Sequence, residues 1–323
     1  MKSCWIKTAH NEAVLEFREV PVPRPGAGQM VVEVKASALN RGELIVGGVV
    51  HGGPEKLGGN EVSGIVHAVG EGVTGIKPGA RVMGRARGGF AEYAVMEAHQ
   101  AMPAPERLSW EEAAAIPVSF LTAYEMLFPF GGLQRGEWLL VTAASSGAGV
   151  ASIQIASMLG AHTIGTSGST KKLERLKSVG LEVGIATRSG DFAARAKEAS
   201  GGGGVALVVN CVGGSVFPEC MRALAYQGRI ATVGYVDGVL KSEIDLAALH
   251  ANRYLVFGVS NSKLTAEGRA RAVRGFTRDV LPAIADGRIT PLIDRIYGFD
   301  ELQQAKARME SNAQVGKIVV RMA

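Results

Sequence analysis

Hydrophobic and polar positions follow two different rhythms along the chain. Over the first ~120 residues, short alternating or apolar runs such as VVEVKASAL, SGIVHAVG and ARVMG are separated by the turn-forming stretches GAG, GGVVHGGP and KPGA. Short runs with turn signals at close intervals predict a small, irregular β-rich region and not a helical bundle. The texture changes near Ser109, where SWEEAAAI sets Ser109 and Glu112 at capping-box spacing. SFLTAYEML, after Pro117, predicts another helix.

Strand and helix then alternate. WLLVTA, HTIGTS, EVGIA, VALVVNCV, RIATVG and RYLVFGVS predict six apolar strands, and GVASIQIASMLG, KKLERLKSVG, DFAARAKEAS and FPECMRALA predict helices between them. Such an alternation predicts a parallel, doubly wound sheet, hence an α/β fold. The last ~60 residues predict one basic helix, TAEGRARAVRGFTRDVLPAIADG, the strand PLIDRIYGF, the helix DELQQAKARMES and the strand GKIVVRM. These are expected to return to the first region, making it discontinuous in sequence.

Composition narrows the picture. A chain of 323 residues with 47% hydrophobic content suits two packed domains and excludes disorder as the main state. The 43 glycines follow no short period, so they indicate tight turns and close backbone approach to a ligand. Three cysteines cannot form a disulfide framework or a four-thiolate zinc site. The N-terminus lacks the apolar run of a signal peptide, and no apolar stretch reaches the roughly 20 residues that span a bilayer. A soluble protein of the reducing cytoplasm, without a membrane partner, is therefore expected. The net charge of +5 is mostly scattered among acids. Arg271, Arg274 and Arg278 share one helical face, and a solvated face is favoured there over an RNA-binding patch.

The main chemical signal is Val141-Thr142-Ala143-Ala144-Ser145-Ser146-Gly147-Ala148-Gly149-Val150, between a strand and an apolar helix. Small residues there let the backbone approach a pyrophosphate at a helix N-terminus. The glycine fingerprint of dinucleotide-binding turns maps to Ala144, Ser146 and Gly149, so two of its glycines are replaced by small residues. The second strand ends in Thr166, Ser167, Gly168, Ser169 and Thr170, followed by Lys171 and Lys172. An NAD site usually carries a carboxylate at this point. Hydroxyls, exposed backbone and lysine suit a 2′-phosphate instead, which predicts NADPH as cofactor.

Further stretches stand in a fixed order: ASALNRGEL (36–44), GNEVSGIV (59–66), the stretch 69–82, GGFAEY (88–93), LTAYEML (121–127), the Ala-Ser-Ser-Gly turn, NCVGG (210–214) and VGKIVV (315–320). In this order and spacing they resemble the zinc-independent branch of the medium-chain dehydrogenase/reductase superfamily, most of all its NADPH:quinone oxidoreductase (zeta-crystallin-like) and enoyl-reductase-like members. The resemblance implies a GroES-like catalytic domain over 1–120, a Rossmann domain over 121–260 and a return segment over 261–323. Zinc-dependent relatives place Cys where this chain has Asn40 and His where it has Asn60, so no metal is expected.

The resemblance further implies Asn40 and Thr122 near the nicotinamide and its ribose, and Ser145, Ser146, Gly147, Ala148, Gly149 and Val150 at the pyrophosphate. It implies Ser167, Gly168, Ser169, Lys172 and Arg188 at the phosphate. Asn210, Val212, Gly234 and Tyr235 are expected at strand ends, Phe257, Gly258 and Val259 beside the nicotinamide, and Asn312 from the C-terminal segment. Thr187 stands where a Tyr is often found, and 43–46 lacks the Tyr that several quinone reductases carry. His51, in a glycine-rich loop, is the remaining candidate proton donor, with loop surface its other reading. The implied activity is hydride transfer from NADPH to a quinone or an α,β-unsaturated carbonyl. The alternative is a non-catalytic NADPH-binding or RNA-binding (crystallin-like) protein on the same fold. The apolar strand RYLVFGVS, expected at the sheet edge, implies a homodimer.

Overall fold

The computed structural model describes residues 1–9, 12–44, 55–261 and 263–322. His51 lies outside the described residues. The chain forms two compact units, Met1–Leu121 with Leu264–Ala323, and Thr122–Lys263.

In the first unit, β1 (Lys2–Ala9) and β2 (Glu12–Glu19) pair antiparallel, and β1 also carries the short β4 (Glu55–Leu57). The larger sheet is built on β3 (Gln29–Ala38), with β5 (Glu61–Val69), β6 (Arg81–Arg85), β7 (Tyr93–Glu97) and β8 (Ala101–Pro103). Val32, Val34, Val62, Val66, Met96, Ile318 and Val320 meet in its core. Ser109 caps α1 (Trp110–Ala114) with Glu112 in the capping box that its spacing predicts. The helix α2 (Pro117–Leu127) begins in this unit and ends in the next.

The second unit is a six-stranded parallel sheet. Its strands are β9 (Trp138–Val141), β10 (His162–Ser167), β11 (Val183–Ala186), β12 (Val205–Asn210), β13 (Leu224–Thr232) and β14 (Leu255–Gly258). They lie in the order β11-β10-β9-β12-β13-β14, the doubly wound arrangement. Leu139, Leu140, Val141, Ile164, Val208, Val209 and Ile230 are fully buried. Strands covered on both faces read as continuous apolar runs, which is why these were visible in the sequence. The helices α3 (Gly147–Leu159), α4 (Thr170–Lys177), α5 (Ala193–Ala199), α6 (Phe217–Ala223) and α7 (Leu246–Asn252) connect the strands.

The C-terminal stretch differs from its sequence reading at one point. The single basic helix expected over 265–287 is two helices, α8 (Ala266–Asp279) and α9 (Leu281–Ala285), broken at Val280. Pro282 lacks an amide N–H and its ring would meet a carbonyl one turn back, so a continuous helix cannot pass it. Arg274 pairs with Glu267 and Arg278 with Asp279 on the exposed side of α8. The strand β15 (Ile293–Gly298), the helix α10 (Leu302–Glu310) and the strand β16 (Lys317–Arg321) follow. β16 pairs with β3 antiparallel and with β15 in parallel, so the C-terminus completes the sheet of the first unit.

Candidate functional site

The turn between β9 and α3 has the geometry its small residues suggest. Ser146 caps α3, its hydroxyl accepting the Gly149 N–H at 3.1 Å. A Cβ on Gly149 would stand 2.6 Å from the Ala144 carbonyl oxygen, so no other residue fits there without a shift. Ala143 takes a left-handed φ of 47°, which costs a residue with a side chain roughly 1–2 kcal/mol. Ser145, Gly147, Ala148 and Val150 complete the turn and the first helical residues, whose N–H groups carry the partial positive charge of a helix start.

The end of β10 brings the expected phosphate residues together. The Ser169 hydroxyl accepts the Lys172 N–H at 3.4 Å as the cap of α4, and the Ser169 N–H donates to the Ser167 hydroxyl at 3.3 Å. Lys172 is half-buried while Lys171 is exposed. Arg188 packs directly over Gly168, where a Cβ would meet its side chain at 2.8 Å. The Thr187 N–H donates to the Ser167 carbonyl at 2.9 Å, and the Thr187 hydroxyl ties back the Asp191 carboxylate at 2.5 Å. Arg188 therefore lies against a strand end without a carboxylate, Lys172 follows in the first turn of α4, and Thr187 shapes the loop that presents Arg188.

The ends of the next three strands are neighbours. Val233 N–H donates to the Asn210 carbonyl at 3.1 Å and Val259 N–H to the Thr232 carbonyl at 3.0 Å. Gly234 lies against the Cys211 carbonyl, and Tyr235 beyond it is exposed. Phe257 packs near Phe130, with ring centroids 6.0 Å apart. Gly258 pairs with Thr232. The Thr122 hydroxyl accepts from the Asn261 amide at 3.2 Å, which joins Thr122 to the segment after β14. Asn261 was not expected from the sequence.

Asn210 is the last residue of β12, as expected. It is fully buried, and its carboxamide oxygen accepts from the Thr142 hydroxyl, Val212 N–H and Gly213 N–H at 3.0–3.1 Å. Its amide donates to the Gly213 carbonyl at 2.9 Å. The side chain shapes the 210–213 turn that follows β12.

Asn40 and Asn312 belong to the first unit. Arg41 donates to the Asn312 side chain at 2.6 Å and to the Met309 carbonyl at 2.7 Å. Asn40 sits in a polar cluster that sequence reasoning missed. Its amide donates to Glu61 Oε1 at 2.7 Å and to Glu43 Oε1 at 3.0 Å, and its carbonyl oxygen accepts from Lys317 Nζ at 2.8 Å. Lys317 also donates to Glu61 at 2.7 Å and to the Leu39 carbonyl at 2.9 Å. Glu61 receives the Val118 N–H at 2.6 Å, and Glu43 receives the Gly59 N–H at 3.1 Å. Gly59 needs its φ of +87° here, and a Cβ on it would meet Phe90 N at 2.3 Å. Burial pushes the Glu43 carboxyl up to about 7. Around Asn40, two carboxylates and one ammonium thus meet in a buried cluster. Asn60 beside them is half-buried, its carbonyl held by Ala86 N–H at 3.1 Å.

All three cysteines are buried, and burial raises the thiols of Cys4 and Cys211 to about 12 and pushes that of Cys220 up as well. None has the electropositive, exposed setting of a nucleophilic thiol. No helix among the described residues is long and apolar enough to cross a membrane.

Residues 26–106 match the alcohol dehydrogenase GroES-like domain family, and residues 147–274 match the zinc-binding dehydrogenase family. The chain is 32% identical over 309 residues to a component of the phenolphthiocerol/phthiocerol polyketide synthase of Mycobacterium tuberculosis. That match covers 95% of this chain and only 14% of that protein's length. It is 33% identical over 268 residues to quinone oxidoreductase-like protein 2 of Bos taurus, covering 81% of this chain and 75% of that protein. The structure of Escherichia coli quinone oxidoreductase complexed with NADPH superposes with a TM-score of 0.85 at 26% identity, over 99% of this chain and 100% of that one.

Proposed function

Since the chain belongs to the medium-chain dehydrogenase/reductase superfamily, we propose that it is an NADPH-dependent oxidoreductase that transfers a hydride to a quinone or an α,β-unsaturated carbonyl compound. The observation that carries this reading is the end of β10. Hydroxyls, the exposed Gly168 and Arg188 stand there, with Lys172 in the first turn of the next helix, and without the acid that would bind an unphosphorylated ribose. The close-packed Gly149 and the α3 N-terminus fit a pyrophosphate. The bound nicotinamide would supply the hydride. The chain would supply orientation, through Thr122 and the backbone of Phe257, Gly258 and Val259, and exclusion of water.

The reading includes no metal, because the groups around Asn40 are an amide, two carboxylates and a resident ammonium. It also includes a homodimer. β14 is the last strand of the sheet and exposes Leu255 and Val256, and Tyr235, Val236 and Leu246 expose further apolar surface in this unit. A second copy pairing along β14 would cover that edge. The test is oxidation of NADPH and NADH with 9,10-phenanthrenequinone and with 2-alkenals, with and without a chelator. Turnover of NADPH with one of the two acceptor classes, unaffected by chelation, is expected. No turnover with either class, or turnover lost on chelation, would refute the reading.

A further inference from the structure

Arg188 is an uncommitted cation. Its stem packs over Gly168, and its exposed guanidinium makes no hydrogen bond or ion pair among the described residues. Three positions on, in the same turn after β11, stands a carboxylate, Asp191. Opposite charges this close in sequence would ordinarily pair, yet these two do not. The Thr187 hydroxyl donates to Asp191 Oδ1 at 2.5 Å instead, and the Ser189 N–H donates to the Thr187 hydroxyl at 3.1 Å, which fixes where that oxygen stands. The Thr187 hydroxyl, and after it that of Ser189, hold the Asp191 carboxyl below the usual carboxylate range, so it is charged at neutral pH.

The turn is pinned at both ends. The Thr187 N–H donates to the Ser167 carbonyl at 2.9 Å. At the far end Phe192 is buried, and the Ala193 N–H donates to Glu219 Oε1 at 2.7 Å. Loss of the Thr187 hydroxyl would therefore free the Asp191 side chain and leave the backbone anchored. Two guanidiniums flank that side chain in sequence. Arg195 is tied to the Ala186 carbonyl at 3.3 Å, whereas Arg188 is tied to nothing, so Arg188 is the partner a released carboxylate would take.

We propose that Thr187 is a positioning residue for cofactor selectivity: its hydroxyl holds Asp191 away from Arg188 and so keeps that guanidinium open to a 2′-phosphate. The proposal rests on the reading of the β10 end as a phosphate site. A released Asp191 would compete for Arg188 and repel the incoming phosphate. An exposed ion pair of this kind lowers the affinity of its competitor by up to about five-fold.

The test is fluorescence titration of NADPH and NADH with four variants. Thr187→Val should weaken NADPH about three- to five-fold and leave NADH unchanged. Thr187→Ser keeps the hydroxyl and should bind both as wild type does. Asp191→Asn keeps an acceptor for Thr187 without the charge and should also bind both as wild type does. The decisive protein is the double variant Thr187→Val with Asp191→Asn, in which NADPH affinity should return to the wild-type value. A double variant as weak as Thr187→Val alone, an equal loss of NADPH and NADH in Thr187→Val, or no loss in it at all would each overturn the proposal. A wild type that binds the two nucleotides equally would instead refute the phosphate site itself, and is seen without any variant.

Discussion

Glu43→Gln should change how stability varies with pH, and the size of the change follows from burial. Glu43 is 3% exposed, so solvent screening does not discount the effect. Its carboxyl is raised from 4.5 to about 7 in the folded protein, burial being the largest cause. Between those values the folded state binds a proton that the unfolded state has released, so stability falls as pH rises. The contribution is fully present below about 4.5 and gone above about 7. Each pKa unit is about 1.4 kcal/mol, so the loss over this window is about 3 kcal/mol. Urea unfolding of wild type and Glu43→Gln at pH 5, 6, 7 and 8 isolates the term, because all other titrating groups are shared. The difference between the two proteins should shift by about 2–3 kcal/mol in favour of the variant between pH 5 and pH 8. Parallel stability curves would show that Glu43 ionises in the folded protein as it does in the unfolded chain.

Three further outcomes are expected. Replacing Asn210 with Leu removes the acceptor for Val212 and Gly213 N–H and should cost about 2–3 kcal/mol in urea unfolding, with loss of cofactor affinity in fluorescence titration; unchanged stability would mean that the turn does not depend on it. None of the three thiols should react with a disulfide reagent at pH 8 in the native protein, and all should react in denaturant; fast labelling of Cys211 would contradict its burial. Leu255→Lys should shift the mass seen by light scattering from dimer to monomer; an unchanged mass would remove β14 from any interface.

The parallel sheet was legible in the sequence because strands buried on both faces leave unbroken apolar runs, as in Val205–Asn210. Ser109 and Glu112 announced their cap because the partners are three residues apart. The βα turn was legible from its setting, with Ala143 taking a backbone conformation usually left to glycine. The antiparallel pair Lys2–Ala9 and Glu12–Glu19 was not, since polar and apolar residues do not alternate strictly along either strand. The break at Val280 was masked by helix-forming residues on both sides of Pro282. The Asn40 cluster was invisible for another reason. Asn40 and Glu43, Gly59 and Glu61, and Lys317 come from three distant stretches, and their meeting depends on β16 joining β3. A Lys within an apolar strand, Lys317 in GKIVVRM, was the one signal that could have pointed to a buried partner.

The central proposal is that the end of β10 selects the cofactor, and the dissociation constants of NADPH and NADH for wild type and Lys172→Ala test it directly. A charge-assisted hydrogen bond to a phosphate is worth about 1.5–3 kcal/mol, or roughly one to two factors of ten in affinity. Wild type should bind NADPH at least about ten-fold more tightly than NADH. Lys172→Ala should lose about ten-fold or more for NADPH while NADH binding is nearly unchanged. Equal affinity of wild type for the two nucleotides, or an equal loss of both in the variant, would contradict the account.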